Sequence, residues 1–342
     1  MSKHDFIQAA FGQPHERTPI WVMRQAGRYL PAYRAVRDTV SFSELCRSPK
    51  LMAEVTGQPI DIFGFDAAIL FSDILLPLEP MGVTVTYAEG GPTVLPPVRR
   101  PEDALALRAY NPGDEMRHVL EGVREIKKRL NDVVPLIGFC GSPFTLLTYL
   151  VEGGGSSSFT EIKKFIYNYP REAAALLDKL ADISGQYLKR QIEAGVDAVQ
   201  LFDTWGGILS PQAYRQFSLP YIKTVFDMCK TRDIPRILYL NFTRPYLTAL
   251  AELDCEVVSV DWRTDLAEAT QILDGKAIQG NLDPQVLFGP AELVRTETRR
   301  ILQVMEKKDG FIFNLGHGIL PKTPVENVQV LVETVHAEAR PK

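Results

Sequence analysis

A chain of 342 residues with a formal net charge of −4 can hold one large domain or two ordinary ones, and it carries no bulk attraction for nucleic acid or an anionic membrane. Its 45% apolar and 23% charged residues fit a globular protein with a substantial core, and no run of about 18 apolar residues offers a bilayer span. The start, Met1-Ser2-Lys3-His4-Asp5-Phe6, lacks the long apolar stretch of a signal peptide, and Cys46, Cys140, Cys229 and Cys255 form no CxxC pair, reading as reduced, buried thiols of a cytoplasmic protein.

Eight short apolar runs are predicted strands, each closing on polar or small residues. In chain order they cover 19–24, 66–71, 134–139, 198–202, 237–240, 257–260, 277–279 and 311–315. They close on Arg24-Gln25, Ser72-Asp73, Cys140-Gly141-Ser142, Asp203-Thr204, Asn241, Asp261, Gly280-Asn281 and Gly316-His317. Continuous apolar runs without alternation fit parallel strands buried on both faces. The alternating run Val83-Thr84-Val85-Thr86-Tyr87, followed by Glu89-Gly90-Gly91-Pro92-Thr93-Val94, predicts a hairpin inserted after the second strand.

Helical spacing fills the gaps between strands. Leu176, Leu180, Ile183, Tyr187 and Leu188 predict a helix stopped by Gly195, and Val328, Leu331, Val332 and Val335 predict another at the C-terminus. Ser210-Pro211, Asp283-Pro284 and Thr323-Pro324 each pair a capping side chain with a proline at the first helical position, and Glu326 offers Thr323 a capping box. Strands alternating with helices predict an α/β fold. Eight of them are the signature of a (β/α)8 TIM barrel, while an open doubly wound sheet also fits the alternation. No repeat or linker divides the chain, so residues 1–342 are expected to form one catalytic domain with its active site at the C-terminal ends of the strands.

The chemistry-bearing residues gather at those ends. Arg24 and Arg28, with Arg34, Arg37 and Arg47 close behind and no lysine among them, suggest a ligand with several carboxylates or phosphates, because guanidinium forks grip such groups bidentately. If a helical turn follows the strand, Arg24 and Arg28 share a face. Exposed arginines on an ordinary helix are the plainer alternative. Asp73 is a carboxylate where an apolar run ends, a place of partial desolvation, serving either chemistry or a helix cap or salt bridge. Tyr149 and Thr204 bring hydroxyls that could equally be packing and capping groups. His317, between Gly316 and Gly318, lacks the neighbours of a metal site and suits a hydrogen-bond donor or proton carrier, so no metal is expected. Glu152-Gly153-Gly154-Gly155-Ser156-Ser157-Ser158 lacks the lysine and spacing of a phosphate loop and reads as a mobile lid or connector.

Taken together, Met23-Arg24-Gln25-Ala26-Gly27-Arg28-Tyr29-Leu30-Pro31, Phe71-Ser72-Asp73, the Tyr149–Gly155 stretch, Phe202-Asp203-Thr204-Trp205-Gly206-Gly207 and Asn314-Leu315-Gly316-His317-Gly318 resemble the uroporphyrinogen decarboxylase family over essentially the whole chain. The resemblance implies a homodimeric, single-domain (β/α)8 barrel that needs no metal or organic cofactor. It would remove the four acetate carboxyls of the tetrapyrrole uroporphyrinogen III, giving coproporphyrinogen III and four carbon dioxide molecules in haem biosynthesis. Carried over, Asp73 and Arg24 are catalytic, and Arg24, Gln25, Ala26, Gly27, Arg28, Arg37, Asp73, Tyr149, Thr204 and His317 contact substrate. The nearest rival, a zinc-dependent methyl transferase of similar architecture, needs a His-x-Cys pair where this chain has Leu240-Asn241-Phe242.

Overall fold

The computed structural model describes residues 4–88 and 91–338. Seven parallel strands form its main sheet: β1 (Ala68–Ile69), β4 (Leu136–Gly141), β5 (Ala198–Asp203), β6 (Arg236–Leu240), β7 (Val257–Ser259), β8 (Ala277–Leu282) and β9 (Phe311–Leu315). They pair in that order, and β4 to β9 are buried except for the half-buried Phe202, which is why their sequences are near-continuous apolar runs. Helices separate the strands, so the chain is the expected α/β protein.

The first predicted strand is reduced to a single bridge between Ile20 and Phe313. Residues 19–21 nevertheless lie between the sheet's two edges. The Phe313 N–H donates to Pro19 O (2.8 Å) and Trp21 N–H to Phe313 O (3.3 Å) on one side, while Asp66 N–H donates to Ile20 O (2.8 Å) on the other. Pro19 lacks an N–H to give, which limits regular pairing there. Asp66, 8% exposed, strengthens this seam: its carboxylate accepts from Arg17 Nη2 (2.6 Å) and Ile20 N (2.9 Å) and hydrogen-bonds His336 Nε2 (2.8 Å). The eighth stave is thus irregular backbone held at both sides.

The barrel interior is filled. Trp21, Ile137, Ala198, Ile237, Tyr239, Val257, Ala277 and Ile312 belong to one buried cluster, joined by Phe6, Ile7, Ala9 and Ala10 of the helix Asp5–Ala10, which closes the N-terminal mouth. A polar layer crosses this interior: Trp21 Nε1 donates to Gln279 Oε1 (2.9 Å), whose Nε2 donates to Gln200 Oε1 (3.1 Å) and Ser259 Oγ (2.9 Å). Gln279, engaged through both its oxygen and its nitrogen, ties three staves together, while Gln200 Nε2 is left without a partner among the described residues.

The hairpin forms as expected, with β2 (Thr84–Ala88) antiparallel to β3 (Gly91–Leu95); its turn at Glu89-Gly90 lies outside the described residues. The periodic helices also form, as Pro170–Ala194, ended by Gly195 at φ +114°, and Val325–Ala337. Two helix starts need correction. Asp283 caps a 3-10 turn, Pro284–Phe288, and Thr323 caps nothing: the last helix starts at Val325, with Thr323 Oγ1 buried and unpartnered among the described residues. Ser210 does cap its helix, accepting from Ala213 N (3.2 Å).

Candidate active site

A cavity of about 870 Å³ opens at the C-terminal ends of the strands. Arg24, Ala26, Gly27, Arg28, Arg37, Asp73, Tyr149, Thr204 and His317 all line it, brought from five separate stretches of chain. Gln25 does not: it is 1% exposed, its Nε2 donates to Ala67 O (3.1 Å) and its Oε1 accepts from Val22 N (3.3 Å). Its amide pins the arginine loop to the scaffold.

That loop is not the helical turn that the four-residue spacing suggested. Residues 21–30 form turns, and the helix starts only at Pro31. Arg24 takes φ +65°, in the left-handed region that a residue with a Cβ seldom occupies. Two glycines accommodate it: a Cβ at Gly27 would sit 2.8 Å from Arg24 O, and one at Gly318 would sit 2.5 Å from Arg24 Cδ. Arg34 Nη1 donates to Arg28 O (2.8 Å) and Tyr29 O (3.0 Å), bracing the loop. Arg37 ends the helix Pro31–Arg37, donates to Val40 O and lies 5.9 Å over the Phe42 ring. Arg47 is not part of the lining; it pairs with Glu79. Arg34 lines the cavity too, so four guanidinium groups face it.

Asp73 is half-buried beyond β1. Its Oδ1 accepts from Leu75 N (2.9 Å), capping the turn that follows, and from Tyr87 Oη (3.1 Å). Oδ2 accepts from none of the described residues. Burial pushes the carboxyl above its usual range, against the Leu75 N–H, the Tyr87 hydroxyl and the Arg24 charge, which favour the anion. Asp73 is thus both a turn cap and a cavity carboxylate.

His317 is pushed down to about 4, first by burial and then by the Arg24 and Arg263 charges. Its Nδ1 accepts the Gly318 N–H (2.6 Å), leaving Nε2 to carry the ring hydrogen. A neutral donor results, rather than a proton carrier near pH 7. Burial also raises the Tyr149 phenol; its ring packs 6.1 Å from Trp205, and Thr204 stands at the end of β5.

Two aromatic walls, not read from the sequence, complete the cavity. Phe71 contacts Tyr33 (5.6 Å between centroids) and Phe42 (5.8 Å), and Phe42 contacts Tyr87 (4.6 Å). Opposite them, Phe202 contacts Phe139 (5.5 Å) and Tyr239 (5.8 Å), which reaches His317 (6.0 Å). The available signals were Phe71 and Phe202 beside the two Asp motifs, and the alternation that carries Tyr87. Flat apolar walls, four guanidinium groups and the free oxygen of Asp73 suit a broad ring bearing acidic arms and central N–H donors.

The remaining polar strand ends turn into the scaffold. Asp203, 0% exposed, accepts from Ser142 Oγ, Thr145 Oγ1 (3.1 Å) and Ser218 Oγ (2.8 Å). Asp261, also 0% exposed, accepts from Thr243 N (3.1 Å), Thr264 Oγ1 (3.0 Å) and Arg263 Nη1 (2.8 Å). Asn281 Nδ2 donates to Asp261 O (3.0 Å) and Thr264 O (2.8 Å). No cluster of three or more His, Cys, Asp or Glu among the described residues is placed to hold a metal ion. The glycine loop is tied at its start, where Gly153 O accepts from Val94 N (3.0 Å).

Comparison with known proteins bears on this site. The whole-chain architecture is similar to a methyltransferase from Methanosarcina mazei (TM-score 0.79, 22% identity, 97% of each chain) and, more distantly, to a B12-independent methionine synthase from Shewanella sp. (TM-score 0.58, 13% identity, 87% of this chain and 90% of that one). At such identities the likeness is one of fold. In sequence the chain is 49% identical over 334 residues to a uroporphyrinogen decarboxylase of Syntrophotalea carbinolica and 46% identical over 332 residues to that of Geobacter metallireducens, covering 97% of each protein in both cases. The uroporphyrinogen decarboxylase family model matches residues 1–338, and the chain belongs to that family.

Proposed function

We propose that this chain converts uroporphyrinogen III to coproporphyrinogen III, with Asp73 holding the macrocycle and the arginines holding its acidic arms. The observation that carries this reading is the free Oδ2 of Asp73, in a cavity that four guanidinium groups line. A carboxylate is acceptor-only and has about four lone-pair sites, so it can collect pyrrole N–H groups that point to the centre of a folded ring.

Each decarboxylation adds one proton and releases one carbon dioxide. A proton added to a pyrrole ring carbon makes a cationic, iminium-like ring; the bond between the acetate methylene and its carboxyl then breaks, and its electron pair neutralises the ring. A proton taken up on the exocyclic carbon leaves a methyl group as the ring carbon gives its proton back. Asp73 supplies a fixed negative charge beside the transient cation, an interaction stronger in the transition state than in the ground state. Arg24, whose charge is felt at both Asp73 and His317, is positioned to polarise the leaving carboxylate. Neutral His317 and Tyr149 supply directional hydrogen bonds, and Thr204 a further hydroxyl. Arg28 and Arg37 grip the propionate and acetate arms, while Gln25, Ala26 and Gly27 set the loop's path.

The decisive assay supplies enzymatically prepared uroporphyrinogen III and follows coproporphyrinogen and carbon dioxide. Release of four carbon dioxide molecules per macrocycle is expected; binding without release would make the protein a tetrapyrrole carrier instead. The family resemblance further supports a homodimer, testable by sedimentation equilibrium. Four free, buried cysteines support a reducing compartment such as the cytoplasm.

A further inference from the structure

Tyr87 belongs to none of the motifs that carry the family resemblance, yet among the described residues it is the one side chain that hydrogen-bonds Asp73. It stands on β2, where burial alternates so that Val85 and Tyr87 face inward and Thr84, Thr86 and Ala88 outward. The ring lies against Phe42 at 4.6 Å, and the hydroxyl is 3.1 Å from Asp73 Oδ1. The hairpin itself is anchored: Val94 N donates to Gly153 O (3.0 Å) and Val98 N to Leu150 O (2.8 Å), both at the end of the helix that carries Tyr149. The phenol is therefore delivered to Asp73 from a strand with fixed register and a packed ring.

We propose that Tyr87 is a positioning residue for Asp73. By donating to Oδ1 it sets the carboxylate's rotation, so that Oδ2 is presented to the pyrrole N–H groups, and it favours the ionised form that the chemistry uses. This role rests on the function proposed above. With Leu75 N on the same oxygen, the carboxylate is held at Oδ1 by two donors, and Oδ2 is left to the ligand.

Removing the hydroxyl takes away one of the influences that oppose burial at Asp73, so its carboxyl rises further and the acid limb of kcat/KM moves to higher pH. The other titratable groups facing Asp73 are Arg24 from the arginine loop, Cys46 from helix Phe42–Arg47, Tyr149 from helix Pro143–Glu152 and Tyr187 from helix Pro170–Ala194. Cys46, Tyr149 and Tyr187 are all raised by burial, away from the acid region. Glu79, which faces Tyr87, is paired with Arg47.

The test compares wild type, Tyr87→Phe, Asp73→Asn and the double variant. Tyr87→Phe keeps the ring and is expected to lower kcat by roughly 3- to 10-fold with little change in KM, and to shift the acid limb upward. The double variant is expected to lose nothing beyond Asp73→Asn, because Tyr87 acts through that residue. Site-specific 3-fluorotyrosine at position 87, a stronger donor of the same shape, is expected to move the limb downward, and it serves if the Phe variant fails to fold. An unmoved limb in both variants, or losses that add in the double variant, would overturn the role. Wild type that releases no carbon dioxide would sink the proposed function itself, an outcome separate from these.

Discussion

Asp73 and Asp203 are both carboxylates at the C-terminal ends of apolar strand segments, within two residues of a Phe, and burial pushes both above their usual range. Their surroundings differ. Asp203 has three hydroxyl donors, Ser142 and Thr145 from the start of the helix after β4 and Ser218 from between two later helices, and is sealed from solvent. Asp73 has one hydroxyl and one N–H on a single oxygen, and its other oxygen meets the cavity. The same side chain at equivalent places becomes a rivet or a tool according to how many donors the neighbouring elements supply. Satisfied lone pairs build structure; an unsatisfied one is available to a ligand.

That contrast can be broken most sharply at Asp73 itself. Asp73→Asn is expected to lower turnover at least ~100-fold, on the scale of ~3–4 kcal/mol for a lost preorganised partner, while leaving the melting temperature close to wild type. A well-folded variant with near-normal product formation would remove the distinction. Asp203→Ala should do the reverse: a loss of ~2–4 kcal/mol in urea unfolding, from three buried hydroxyls deprived of their acceptor, with the folded fraction still turning over.

His317 provides a pH axis. Because its folded-state value is depressed from 6.5 to about 4, the unfolded chain binds the extra proton, and stability falls as pH drops from about 6.5 toward about 4. The expected contribution is ~2–3 kcal/mol at most, and His317→Gln should flatten that slope in unfolding titrations at pH 7 and 4.5. No activity limb from His317 is expected near neutrality. Smallest in effect, Arg37→Lys should raise the half-saturation concentration ~3- to 10-fold with kcat little changed, since an ammonium cannot reproduce the two-pronged grip. Unchanged half-saturation would leave Arg37 to the wall, not the ligand.

Much of this was legible in the chain. Seven of the eight predicted strands form, because doubly buried parallel strands announce themselves as unbroken apolar runs. Arg24, Asp73 and His317 were legible because they sit where such runs stop. What could not be read was direction. The polar ends at Asp203, Asp261 and Asn281 look like cavity residues until Ser142, Thr243 and Thr264 are seen folding onto them from elements distant in sequence. Gln25 lies within the most distinctive motif and yet serves the backbone behind it. Spacing put Arg24 and Arg28 on a helical face, whereas the left-handed turn at Arg24 depends on Gly318, almost three hundred residues away. Tyr87 was placed in a hairpin, but only the docking of that hairpin brings its hydroxyl to Asp73.

The helix Asp5–Ala10 beneath the barrel has a consequence for traffic. With the lower mouth plugged and the axis filled by the tryptophan–glutamine layer, the vessel is blind-ended. Gas liberated in each of four rounds must escape through the doorway that admitted the guest, slipping past its rim while it is seated, so crowding at that doorway would throttle successive rounds without touching the chemistry.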